Sequence, residues 1–487
     1  MTPTAIIVIG SGLAGLTTTA HLLTHRIPVL LLERCPKPGG NSIKASSGIN
    51  GAPTAFQPPG SDSVGSFYAD TVASAGEVFL SATGAEKSRR EGLVTTLTER
   101  SAEGVSWLSE MGVDLSRVAR LGGHSVARTH RGGGKGTPGY EIVKALLGKV
   151  EGDERFKMET GRRVTRILRE TDGAVNGVEY TTVDEGNETV ERAYGPVVVA
   201  TGGFAGDARG LLATYRPDLA GIPSTNEPRE GTQPLLQAVG AAMVDMDCVQ
   251  VHPTGFVDAA QAEATVKILA AEALRGEGGI LVLGDGRRFV NELETREKVT
   301  GEVMRQAERL STTATQWDTK LVLDEGAAAA LESHLGFYMW KKLIEKTTVG
   351  ELMAEMPALE STLREYVDVV SGREKDRFGR ESFGNWTLAE VKPESVVYVG
   401  KVTPVVHFTM GGAVINERSQ VLDEQGRPIP GLWAAGEITG GLHGQNRLGG
   451  SSLLECVVFG RIAGDEAVAF YRGLQGEGST CAGHDDL

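Results

Sequence analysis

The chain has 487 residues, of which 65 are glycine and only 19 proline, and 40% are hydrophobic. Glycine at nearly twice the roughly 7% of ordinary proteins, without a three-residue period, excludes collagen; the hydrophobic content excludes a disordered chain and leaves a globular protein with many close backbone approaches. Its 49 basic and 63 acidic residues give a formal charge of −14, which argues against nucleic acid as the partner because phosphate binding needs basic patches.

Residues 1–35 read as strand, turn, helix, strand. The run Ala5 to Ile9 leads into Gly10-Ser11-Gly12-Leu13-Ala14-Gly15, then a helical segment, then Val29 to Leu32 ending in Glu33. This is a βαβ dinucleotide fingerprint. Gly10 makes the tight turn, Gly12 admits a pyrophosphate, and Gly15 lets helix and strand pack closely. The helix N-terminus offers free N–H groups and partial positive charge. Glu33 stands where an acid, roughly 20 residues on, accepts ribose hydroxyls.

A second fragment of the same fold is Val197-Val198-Val199-Ala200-Thr201-Gly202-Gly203, and a third is Gly431 to Glu437. They flank a middle region that reads as an insert. The expected division is residues 1–250 and 406–487 for a Rossmann-like α/β cofactor domain and 251–405 for an α+β cap. Within the insert, Leu352, Met353, Met356, Leu359, Leu363, Tyr366 and Val370 follow helical spacing and are expected to be core. The Gly/Ser-rich stretch after Arg472 is expected to fray.

The cysteines Cys35, Cys248, Cys456 and Cys481 are scattered and form no CxxC, so they give neither a disulfide framework, nor a zinc site, nor a haem attachment. No metal is expected, and a reducing compartment fits. No run reaches the roughly 18 apolar residues of a membrane span. The start shows no charged leader, so a cytoplasmic location is expected. The last residues, His484-Asp485-Asp486-Leu487, loosely resemble an ER-retention tail.

Five segments hold His or Arg in unusual surroundings: Val251-His252-Pro253-Thr254-Gly255, Glu272-Ala273-Leu274-Arg275-Gly276, Asn291 to Arg296, Val405 to Gly412 and Gly440 to Gly450. His252 and His407 also read as core histidines, Glu272 and Arg275 as a solvated i,i+3 pair, and Arg296, among Glu292, Glu294 and Glu297, as a surface salt bridge. Arg447, alone among glycines, reads as a fork for a carboxylate.

These segments, with Leu121 to Val126 and Gly440 to Gly460, resemble the soluble yeast-type fumarate reductases, within the larger family of fumarate reductase and succinate dehydrogenase flavoproteins. The resemblance runs from about residue 4 to about residue 470. It implies a site between an FAD domain and a mobile cap. His252, His407 and Arg447 would hold the carboxylates of fumarate or succinate, aided by the backbone at Gly48 and Gly450. Arg296 would be the acid; Glu272, which would also border the substrate, and Arg275 would be its relay. An arginine acid, with a usual pKa above roughly 12, needs immediate refilling from Glu272.

For FAD the resemblance implies Gly10, Gly12, Ala14, Gly15, Glu33, Arg34, Asn41, Ser42, Gly48, Thr201, Gly202, Glu437, Ser452 and Leu453. Covalent relatives use a histidine after Gly40; Asn41 stands here, so FAD is expected to be noncovalent. Two departures stand out: Ala271 where many relatives carry Thr, and Glu227 to Gln233 where many carry Thr-Gly-Asp-Gly. Urocanate reductases and ketosteroid dehydrogenases share the architecture but would not keep the full dicarboxylate clamp. An L-aspartate oxidase, another enoate reductase of this fold, or a flavin-binding protein without catalysis are the alternatives. The donor is a reduced flavin or an unidentified reductase.

Overall fold

The computed structural model describes residues 4–134, 136–184 and 187–480. Lys135, Cys481 and the tail His484 to Leu487 lie outside them. The central sheet has six strands, in the order Gln420–Leu422, Pro428–Ala434, Val197–Val199, Ile6–Ile9, Val29–Glu33, Phe156–Thr160. All neighbours are parallel except the first pair. Ile6, Ile7, Val8 and Val197 to Val199 are buried. That is why these strands read as continuous apolar runs rather than alternating ones.

The first helix, Leu13–Thr24, packs on the closing helix, Ser451–Thr480. Thr18 Oγ1 donates to the Gly460 carbonyl at 2.9 Å. A side chain at Gly460 would press on the Ala14 carbonyl and Thr17, and one at Gly464 on the His21 ring. The stretch after Arg472 does not end the helix, which continues to Thr480. A helical glycine costs only about 1 kcal/mol relative to alanine, and propagation from packed turns avoids a new nucleation.

The insert holds a second, antiparallel sheet: Val249–Phe256, Val396–Thr409, Thr319–Leu323, Ile280–Leu283, with Glu345–Thr348 also on Val396–Thr409. The expected joints at 250/251 and 405/406 fall inside its strands Val249–Phe256 and Val396–Thr409. Leu359, Leu363 and Tyr366 are buried in the insert's core, as their spacing required. The register between the two long strands shifts on either side of Val251-His252. Pro253 lies in one shifted stretch opposite Pro404, and neither can donate to the ladder. Bulges re-aim side chains, and here the rings of His252 and His407 meet edge to face at 5.4 Å.

Candidate active site

A cavity of about 1220 Å³ runs from the glycine turn to the ends of the insert's strands. The sequence dictates its first wall. Gly10 has φ +98°, and a Cβ there would sit against the Ala200 carbonyl. A Cβ at Gly15 would collide with the Gly10 carbonyl oxygen, so Gly15 serves packing and does not line the cavity. A Cβ at Gly12 would meet only Ser42 Oγ, at 3.7 Å, and one at Gly202 nothing. Both leave space for a ligand to approach backbone.

Gly10, Gly12, Ala14, Glu33, Arg34, Asn41, Ser42, Gly48, Thr201, Gly202, Glu437, Ser452 and Leu453 all line this one cavity. Two helix N-termini open on it, at Gly12 and at Ser451 to Leu453, which suits a diphosphate or another electron-rich group. Glu33 is oriented by Ser11, whose N–H and hydroxyl donate to Oε2 at 2.9 and 2.6 Å, and by the Cys35 N–H at 2.7 Å. Asn41 donates to Asn226 Oδ1. Thr201 and Thr232 share a 2.6 Å hydroxyl contact. The turn at 227–233 is therefore built into the wall: Glu230, Gly231 and Thr232 line it, and the Gly231 N–H is held by Asp207 at 3.0 Å. Glu437 accepts from the Thr409 N–H at 2.9 Å, and burial pushes its carboxyl up to about 7.

The other end is cationic. Arg296, His407, Arg447 and Gly450 line it. Arg447 lies 4.2 Å above the Phe408 ring. One Nη donates to the Leu448 carbonyl at 3.0 Å, while Nε is buried without a partner. Burial, then the charge of Arg296, lowers its guanidinium to about 9. An incoming anion would relieve both effects.

Arg296 donates through Nε to Glu272 Oε2 at 2.7 Å and through Nη1 to Gln250 Oε1 at 2.7 Å. Glu272 Oε1 accepts the Gly122 N–H at 2.8 Å. Burial pushes the Glu272 carboxyl up, but the charges of Arg296 and Arg275 overcome it and hold it at about 2. Arg275 Nη2 is 4.0 Å from Glu272 Oε1, and its Nε and Nη2 are buried without partners. The solvated helix pair read from spacing is instead a buried pair at a single helical turn, Ala273–Gly276.

His407 Nδ1 is 2.9 Å from Thr225 Oγ1. Burial, then Arg296 and Arg447, keeps its pKa well below the usual value, so the ring is neutral. His252 is neutral for the same first cause, with Arg296 and His407 adding to it. His252 Nδ1 lies 3.2 Å from both the backbone nitrogen and the carbonyl oxygen of Thr254, while Nε2 is buried without a partner.

His252, Glu272 and Arg275 do not line the cavity; they form the layer behind it. The reading of His252 and Glu272 as direct substrate contacts is corrected to that extent, because His407 and Arg296 hold the cavity-facing positions. Gln250 and Thr225 were not among the expected site residues, and Gly122 entered only as part of the Leu121 to Val126 stretch. Gln250 carried a signal, a polar residue inside the apolar run Cys248-Val249-Gln250-Val251; Thr225, on a loop, carried none.

The family described as FAD binding domain matches residues 5–453. The fumarate reductase of Schizosaccharomyces pombe is 42% identical over 483 residues, spanning 95% of this chain and 89% of that one. Fumarate reductase 1 of Saccharomyces cerevisiae is 43% identical over 482 residues, spanning 96% and 98%. Among solved structures, the open conformation of a flavocytochrome c3 fumarate reductase superposes with a TM-score of 0.72 at 32% identity, covering 96% of this chain and 78% of that one.

Proposed function

The chain belongs to the fumarate reductase and succinate dehydrogenase flavoproteins, the FAD-binding family its sequence matches, and from that premise we propose that it reduces fumarate to succinate at the cationic end of its cavity. The observation that carries this reading is a buried guanidinium whose Nε has no partner, Arg447, beside a second one, Arg296, which is backed by a buried carboxylate at the same cavity end.

FAD is the family's cofactor, and Gly10, Gly12, Glu33, Ser42, Thr201, Gly202 and the N-terminus at Ser452 would hold it. Bound and reduced, it supplies the hydride. Arg447 would take one substrate carboxylate in a charge-assisted fork. His407 would donate to a carboxylate as a neutral ring, with His252 fixing it from behind. These donors stabilise the negative charge that develops on the carboxylate as hydride adds to the alkene.

Arg296 would then give a proton from its guanidinium to the adjacent carbon. Its loss of charge removes the main force holding Glu272 low. Burial then dominates, and Glu272 takes up a proton delivered from solvent by way of Arg275 and passes it to Arg296 across their contact, refilling the guanidinium. Arg275 keeps positive potential on the far side. Gln250 fixes the Arg296 fork in the plane that Glu272 meets.

The test is anaerobic. The flavin is reduced, and fumarate, aspartate and urocanate are added in separate runs. Fumarate should reoxidise it with one succinate formed per flavin. Reoxidation by urocanate alone, or by none of them, would overturn the reading.

No helix among the described residues is long and apolar enough to cross a membrane. We infer from Asn41, which holds Asn226 at the cavity wall, that FAD is bound noncovalently.

A further inference from the structure

Among the described residues, one cluster of metal-ligating side chains lies outside the cavity. His21 sits in the last turn of the first helix and His25 caps it. The spacing i, i+4 puts both imidazoles on one face. Asp465 projects from the closing helix onto that face. His21 Nε2 is 2.7 Å from Asp465 Oδ1, and His25 Nε2 is 3.4 Å from the same atom. One ligand atom from each residue falls within a 4.8 Å span.

We propose that His21, His25 and Asp465 form a binding site for a divalent transition-metal ion of the zinc type. Two imidazole nitrogens and one carboxylate oxygen are a complete protein donor set for zinc with a fourth position left to water. At zinc–ligand distances of about 2.0–2.1 Å, tetrahedral ligand atoms stand about 3.3 Å apart. The His25–Asp465 separation already has that value. The His21–Asp465 pair needs to open by roughly half an ångström from hydrogen-bond length, within side-chain freedom. The Asp465 side chain is 52% exposed and His25 36%, which gives an ion its entry path.

Arg461, whose charge reaches His21, is paired with Glu103 at 2.6 Å. Behind the site, glycine at 460 lets the closing helix approach the Ala14 carbonyl, and glycine at 464 leaves room for the His21 ring. The proposed ion would therefore clip together the two helices whose N-terminal ends both open on the cavity.

Zinc chloride is titrated calorimetrically into untagged holoenzyme, parent and His25→Ala and Asp465→Ala variants, with thermal unfolding followed by flavin release. The parent should bind one equivalent and melt higher with zinc; both variants should bind at least about tenfold more weakly and lose the shift. Turnover without added zinc should be unchanged in both. The absence of stoichiometric binding in the parent, or retained affinity in either variant, would overturn the site.

Discussion

Arg296 Nη2 lies 2.5 Å from Glu272 Oε2, and both side chains are buried at the cationic end of the cavity. A buried pair of this kind is weak evidence for stability, since desolvation offsets most of its attraction. Under the proposed reduction, the pair, with Arg296 on the cavity wall and Glu272 behind it, would have a chemical use instead.

If Arg296 is the proton source, Arg296→Gln should lower kcat for fumarate by about 10²- to 10⁴-fold, the usual span for a general acid. Glutamine still donates toward Glu272, so FAD content should hold. Steady-state turnover with flavin absorbance per chain checks both; unchanged kcat would remove Arg296 from the chemistry.

Arg447→Ala should act mainly on binding. A hydrogen bond to a charged group is worth about 1.5–3 kcal/mol, which corresponds to a KM or Kd rise of roughly ten- to over a hundredfold. Succinate binding to oxidised enzyme, read as a flavin spectral shift, measures it without turnover. Parent-like affinity would dismiss the fork.

Acid should unfold the protein through Glu272. Its folded pKa of about 2 lies below the usual value of 4.5. The unfolded chain thus binds the extra proton between these limits. The contribution is full above pH 4.5 and is lost as pH falls through about 2. Its size is on the order of 3 kcal/mol. Denaturant unfolding from pH 5 to pH 2 should show a shallower loss in Glu272→Gln; parallel curves would contradict the linkage.

Gly12→Val and Gly15→Ala separate binding from packing. The first places a side chain in open cavity and should cut FAD content with little change in Tm of the apoprotein. The second forces a Cβ into the Gly10 carbonyl and should cost about 1–3 kcal/mol of stability, with FAD lost as a consequence. Flavin absorbance and apoprotein melting distinguish the two patterns.

Denaturation in acid should release the whole flavin into the supernatant. Yellow precipitate retaining flavin would show a covalent link and contradict the reading of Asn41.

Local features were legible in the sequence because their cause is local. Gly10, Gly12 and Gly15 announce themselves by spacing, and each took the expected place in the first turn and helix. Of the insert's apolar stripe, Met356, Leu359, Leu363 and Tyr366 packed as the period required and Leu352 and Val370 in part, whereas Met353 is exposed. Partner choice was not legible. Arg296 has acidic chain neighbours, yet Glu292 pairs with Arg288 and Arg380, Glu294 pairs with Lys298, and Arg296 takes Glu272 across 24 residues. Proximity in the chain says little about ion pairs once burial decides which charges must be matched. The loop Gly132-Gly133-Gly134 had no evident use in the sequence. In the structure the Gly133 N–H binds Asp114 Oδ2 at 2.9 Å and a side chain there would press on the Arg117 guanidinium.

The cavity takes one wall from Gly10 to Ala14 and another from Ser452 to Cys456. A ribosome makes the first of these hundreds of residues before the second. The nascent chain can shape the glycine turn early, but the compartment for FAD stays open on one side until the closing helix has emerged and docked. Cofactor uptake should therefore wait on the emergence of the closing helix, and chains cut short before residue 452 should be colourless.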